Sequence, residues 1–148
     1  MKRELVAVVL AGGVGKRFWP ISTNKALFPF FGKPIMVHSV IDVLPKDVTR
    51  VVIVTNKDND YAIRKMQFPV SHETVIQENP NGMANAILCA KEKFRDSSLL
   101  IVNADDINDA SMYQDVVHKS RKTQVFGVIP CFKTVKYLPY GYLVFKGD

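Results

Sequence analysis

Leu5–Leu10 (LVAVVL), Arg50–Thr55 (RVVIVT) and residues 99–102 (LLIV) carry Val, Ile and Leu at consecutive positions rather than at alternate ones. A strand with one wet face alternates apolar and polar side chains. A run that does not alternate is buried on both faces, as in a parallel sheet covered by helices. Helix-like segments separate these runs. Residues 34–44 place Pro34 at a first turn, with Ile35, Val37, Val40, Ile41 and Leu44 on an apolar face. Residues 61–66, 83–94 and 109–120 also read as helical, and 73–77, 125–131 and 141–145 as further strands. Strands alternating with helices predict a layered α/β fold with a mostly parallel central sheet flanked by helices. A chain of 148 residues suits one such domain with a real core.

Ligands of these sheets bind outside the carboxyl ends of the strands, and three polar features fall there. The first is Leu10-Ala11-Gly12-Gly13-Val14-Gly15-Lys16-Arg17, directly after the first strand. Glycines let backbone approach a ligand closely, bare amides in such a loop make an anion-binding nest, and Lys16 and Arg17 add full charges. A Walker A loop needs glycine where Leu10 stands and Ser or Thr where Arg17 stands. A dinucleotide loop needs glycine at Phe18. A plain turn needs no cations.

The second feature is Asn103-Ala104-Asp105-Asp106 at the end of the 99–102 run. Carboxylate oxygens there suit Mg²⁺, which takes one or two protein carboxylates plus phosphate oxygens; the simpler role is a helix cap. The third is Gln77-Glu78-Asn79-Pro80-Asn81-Gly82. A glutamine amide can meet a base edge with both a donor and an acceptor, and a glycine lets a flat ring lie on the backbone. Phe18-Trp19-Pro20 reads as an aromatic wedge beneath the loop.

Composition narrows the partners. Net charge is +6, which fits a polyanionic substrate. No dense Lys/Arg block or RNA-binding signature accompanies it, so nucleic acid is not an expected partner. No apolar run approaches the ~20 residues a membrane span needs. The apolar run after Met1-Lys2-Arg3 leads straight into the glycine loop, which favours a core strand over a signal peptide. Cys89 and Cys131 stand among apolar neighbours and form no CxxC pair, so they are expected to be core thiols in the reducing cytoplasm. His38, His72 and His118 show no metal-ligand spacing.

Taken in order, Ala11-Gly12-Gly13-Val14-Gly15-Lys16-Arg17-Phe18-Trp19-Pro20, Ser22 or Thr23, Lys25 and Gly32-Lys33-Pro34 resemble the sugar-1-phosphate nucleotidyltransferases of the nucleoside-triphosphate transferase family. That pattern is A-G-G-x-G-[TS]-R-[LFM]-x-P, then [TS], a lysine, and G-K-P. Lys16 departs from the usual Thr or Ser, and the stretch from Arg17 to Lys25 is a residue or two short. The resemblance implies a Rossmann-like fold and transfer of a nucleotidyl group from a nucleoside triphosphate to a sugar-1-phosphate. It implies Arg17 and Lys25 as catalytic residues, and Leu10, Ala11, Gly12, Gly13, Gly15, Lys16, Gln77 and Gly82 at the nucleotide. Asp105 matches the family's magnesium ligand, with Ala104 in place of a common glycine, and Gly141 matches a glycine whose backbone faces the sugar.

The base and the sugar stay open. Arg17-Phe18-Trp19-Pro20 resembles guanylyltransferases of mannose-1-phosphate, whereas Gln77 with Gly82 is more similar to thymidylyl- or uridylyltransferases of glucose-1-phosphate. Homo-oligomers also stay open. The resemblance covers the first part of the family domain, so residues 1–148 are expected to be a nucleotide-binding domain shortened at its C-terminal end. Two other readings share the loop: a non-catalytic nucleotide-binding or regulatory module, and cytidylyl transfer to a non-sugar phosphate such as phosphocholine.

Overall fold

The consecutive apolar runs become the centre of a sheet in the computed structural model, which describes residues 3–13, 15, 20, 24–123, 125–138 and 141–144. In chain order the elements are β1 (Leu5–Leu10), a two-residue hairpin of β2 (Pro29–Phe30) and β3 (Lys33–Pro34), α1 (Ile35–Ser39) and β4 (Arg50–Thr55). Then follow α2 (Asp60–Arg64), β5 (Ser71–Ile76), α3 (Gly82–Cys89), β6 (Ser98–Asn103) and α4 (Ala110–Lys122). The main sheet has the order β5-β4-β1-β6, and every pairing in it is parallel. This is the layered α/β architecture expected from the runs, and the Rossmann-like fold that the resemblance implies.

Successive side chains of a strand point to opposite faces, and β1 buries both. Ala7 and Val9 pack with Val51, Ile53, Leu100 and Val102 beneath α1, α2 and α4, through Met36, Ile63, Tyr113 and Val117. Val6 and Val8 pack with Val52 and Val54 beneath α3, through Ala86, and beneath the turn that follows it, through Ala90 and Phe94. The core is therefore two apolar layers on either side of one sheet. Its depth at β1 fixes where the chain leaves the sheet, and hence where the glycine loop sits.

Several expectations change. The helix predicted over 34–44 stops at Ser39; Val40 leaves helical dihedrals (φ −127°, ψ −65°) and a single 3-10 turn, Ile41–Val43, follows. The helix predicted over 83–94 ends at Cys89, with a 3-10 turn at Lys91–Lys93. Residues 125–131 form no strand, and Phe126 and Ile129 are exposed. A strand exists only through a partner's ladder, which local β propensity cannot supply. Residues 141–144 are likewise irregular and exposed. Cys89 and Cys131 are exposed free thiols rather than core residues; α3 turns Ala86 inward and leaves Leu88 and Cys89 outside. Among the described residues no helix is long and apolar enough to cross a membrane.

Candidate functional site

The register Leu10↔Asn103 between β1 and β6 makes Ala11–Gly13 and Ala104–Asp105 leave the sheet side by side. The ladder runs one step past each strand. The Ala11 amide donates to the Val54 carbonyl (2.8 Å) and the Ala104 amide to that of Leu10 (3.1 Å). Beyond that point the loop carbonyls turn to asparagines. Asn59 Nδ2 donates to the Ala11 carbonyl (2.8 Å), Asn56 Nδ2 to that of Gly12 (3.2 Å) and Asn24 Nδ2 to that of Gly13 (3.5 Å). Gly12 is wedged tightly: a Cβ there would lie 2.9 Å from Gln77 Oε1 and 3.1 Å from the Thr55 carbonyl oxygen. Among the described residues, a Cβ on Gly13 would meet nothing within 4 Å. The first glycine serves packing, and the second is open toward solvent.

Asp105 is held through its neighbour. Ala104 is buried, and its carbonyl accepts from Ser39 Oγ at the end of α1 (2.9 Å). The Asp105 carboxylate forms an ion pair with the Lys25 ammonium. Lys25 opens the 3-10 turn Lys25–Leu27, which Asn24 caps by accepting the Ala26 amide at 3.0 Å. Asn24 thereby ties the lysine turn to the glycine loop. Asp106 accepts instead from Asn103 Nδ2 (2.7 Å).

Asp105 is one accessible carboxylate beside the glycine loop, and it already pairs with a cationic side chain. That donor set fits Mg²⁺, which completes its shell with water and phosphate oxygens. Among the described residues no group of three His, Cys, Asp or Glu could hold a metal unaided.

Gln77 follows β5 and closes the third side. Its amide N–H donates to the Thr55 carbonyl (2.8 Å), and its side-chain Nε2 donates to Asn85 Oδ1 (2.8 Å) and the Gly82 carbonyl (3.3 Å). The residue is buried. Both side-chain donors are thus engaged within the protein, and a base edge would compete with α3 for them. Gly82 begins α3 at φ +87°, a left-handed conformation that glycine adopts without a Cβ penalty. Asp60, behind the loop, is a structural anchor. Burial would raise its pKa, but hydrogen bonds from Thr74 and Thr55 and the charge of Arg64 outweigh that and hold it below its ordinary value.

The structure brings Leu10, Ala11, Gly12, Gly13, Gln77, Lys25 and Asp105 to one rim, with Gly82 hydrogen-bonded to Gln77. Gly15 lies in the same loop with φ +61°. Lys16 and Arg17 lie outside the described residues, as do Phe18 and Trp19 of the aromatic wedge. Gly141 is exposed, with nothing among the described residues within 4 Å of an added Cβ. The residues that sequence reasoning missed are Asn24, Asn56 and Asn59. The available signal was Thr55-Asn56 ending a buried strand at the ligand-binding rim, with a second asparagine three residues on.

A family model described as nucleotidyl transferase matches residues 6–148. The bifunctional protein GlmU of Methanococcus vannielii is 30% identical over 132 residues, 83% of this chain and 31% of that protein. The mannose-1-phosphate guanyltransferase beta-A of Xenopus laevis is 28% identical over 155 aligned residues, 96% of this chain and 42% of that protein. Among solved structures, a putative glucose-1-phosphate thymidylyltransferase from Bacillus anthracis superposes with a TM-score of 0.67 at 25% identity. The match covers 79% of this chain and 50% of that one. The chain spans about a third of the length of the GlmU proteins it matches.

Proposed function

This chain belongs to the nucleotidyl transferase family, and on that premise we propose that it serves transfer of a nucleotidyl group from a nucleoside triphosphate to a sugar-1-phosphate, with release of pyrophosphate. The observation that carries the reading is the juxtaposition at one rim of the Gly12–Gly13 backbone with the Lys25–Asp105 pair. A polyanion and a divalent cation are the ligands that such a juxtaposition suits.

A sugar-phosphate oxygen attacks the α-phosphorus, and pyrophosphate departs in line. This chemistry asks for positioning and charge neutralisation more than covalent catalysis. The loop amides hold the triphosphate, and Lys16 and Arg17 add positive charge to it. Lys25 orients the sugar phosphate and stabilises charge in the transition state. Asp105 would hold Mg²⁺, which when bound neutralises charge on the phosphate oxygens. Gln77 and Gly82 bound the base side, and Gly141 remains the sugar-facing candidate. Two exposed free thiols fit a reducing compartment, and we place the protein in the cytoplasm.

The test is pyrophosphate release from GTP, dTTP, UTP and CTP, each paired with mannose-1-phosphate, glucose-1-phosphate and phosphocholine. We expect one nucleotide and sugar-phosphate pair to dominate, and Arg17→Ala to cut its turnover by orders of magnitude with the fold intact. Near-normal turnover in that variant overturns the assignment of Arg17. Nucleotide binding without pyrophosphate release from any pair marks a non-catalytic module instead.

A further inference from the structure

We propose that Asn56 and Asn59 are positioning residues for triphosphate capture, holding the glycine-loop carbonyls so that the following amides are presented to the anion. The inference rests on the proposed function and adds to it residues that the family pattern quoted above does not contain.

The argument starts from the peptide plane. In a trans peptide the C=O of one residue and the N–H of the next point in opposite directions. Fixing the Ala11 carbonyl therefore fixes the Gly12 amide, and fixing the Gly12 carbonyl fixes that of Gly13. Asn59 and Asn56 make those two bonds, at 2.8 and 3.2 Å. Among the described residues no hydrogen bond takes up the Gly12 or Gly13 amide. The donors are left over, and their direction is set from behind.

The asparagines are themselves locked. Asn59 Oδ1 accepts from the Asn56 amide (2.9 Å), and Asn56 Oδ1 accepts from the amides of Asn59 (3.1 Å) and Asp58 (3.0 Å). Backbone amides can only donate, so each side-chain oxygen must face the turn and each Nδ2 must face the loop. The alternative amide orientation is excluded by this network. Asn59 is completely buried and Asn56 is 8% exposed. Burial of polar groups at this depth is tolerated because every one is paired. Aspartate would serve the turn equally well, since the turn uses only the oxygen. The second atom of the amide, a donor, serves only the loop.

That distinction supplies the experiment. Asn56→Asp and Asn59→Asp keep the acceptor and remove the donor, setting a carboxylate oxygen against a loop carbonyl. Binding of inorganic tripolyphosphate to the full chain is measured by calorimetry, a probe that needs no knowledge of the base. KM for the triphosphate and for the sugar phosphate is then measured with the best pair from the activity panel. Val117→Ala, in the core beneath α4, is the control for lost stability alone.

We expect each Asn→Asp variant to bind tripolyphosphate at least tenfold more weakly. The triphosphate KM should rise while the sugar-phosphate KM holds, and Val117→Ala should retain wild-type affinity at a lowered melting temperature. If Asn59→Asp does not fold, the less buried Asn56→Asp carries the test. A folded Asn56→Asp chain with unchanged tripolyphosphate affinity and unchanged triphosphate KM overturns the proposal and leaves the proposed function standing. A wild-type chain that binds neither tripolyphosphate nor any of the four triphosphates overturns both.

Discussion

At the amino ends of the strands, Arg50 donates to Glu4 (3.2 Å) and Glu73 (2.9 Å), and Lys93 pairs with Glu73 (2.8 Å). The third donor bond of Arg50 goes to the Lys93 carbonyl (2.6 Å). These charges satisfy one another across four chain segments. At the carboxyl ends the pattern differs. Carbonyls are tied down by asparagines, the Gly12 and Gly13 amides donate no hydrogen bond among the described residues, and the Lys25–Asp105 pair stands where a polyanion and a metal would each claim one partner. Both ends are rich in polar groups, but at the carboxyl ends the donors left over among the described residues are backbone amides of a glycine loop. An ion pair whose members have no other business is part of the framework, whereas a pair beside unclaimed donors is a candidate for chemistry.

The contrast breaks or holds first at Asp105. Asp105→Asn keeps the shape and removes the charge that both Lys25 and a metal would use. A metal supplies several kcal/mol of charge stabilisation in such reactions, so turnover should fall roughly a thousandfold. Manganese binding, followed by electron paramagnetic resonance, should weaken in parallel. Stability should barely move, because the pair is solvent-accessible. A variant that keeps turnover would make Lys25–Asp105 another framework pair.

Adjacent glycines give the next largest effect. Gly12→Ala forces a Cβ against the Thr55 carbonyl and Gln77. Overpacking of this kind costs about 1–3 kcal/mol, so its melting temperature should drop and triphosphate binding with it. Gly13→Ala meets no atom of the described residues and should leave stability within about 0.5 kcal/mol of wild type. If Gly13 faces the anion, its added methyl should nonetheless weaken tripolyphosphate binding. Equal affinities for Gly13→Ala and wild type would place the anion elsewhere on the rim.

Much of this was legible before the fold. The runs at 5–10, 50–55 and 99–102 revealed a doubly covered sheet because burial on both faces abolishes alternation, and the carboxyl-end rule gathered Gly12, Gln77 and Asp105. The clamp at Asn56 and Asn59 was not legible. In sequence, an asparagine after a strand is an ordinary turn former, and its second bond crosses 44 to 48 residues. The engagement of Gln77 with Asn85 was hidden for the same reason: an amide free to read a base and one tied to a helix have the same letter. The strand expected at 125–131 failed because a ladder is a property of two segments, not one.

The smallest effect belongs to the framework end and tests the other half of the contrast. The Lys93 ammonium that hydrogen-bonds Glu73 lowers its pKa from the ordinary 4.5, against burial that would raise it, and Arg50 acts in the same direction as Lys93. The folded state thus binds this proton less readily than the unfolded chain. Its contribution to stability is complete above pH 4.5 and is lost as pH falls through the lowered folded value. Glu73→Gln should cost about 1 kcal/mol or less at pH 7, a melting shift of about 2–4 °C at most in a chain of this size. The gap to wild type should narrow steadily as the melts are repeated from pH 5 down to pH 3. Turnover and triphosphate KM at pH 7 should not change, because the Glu73 partners face the amino ends of the strands. A Glu73→Gln chain with an altered triphosphate KM would show that the two ends of the sheet are coupled, and that the ion pairs around Arg50 do more than hold four segments together.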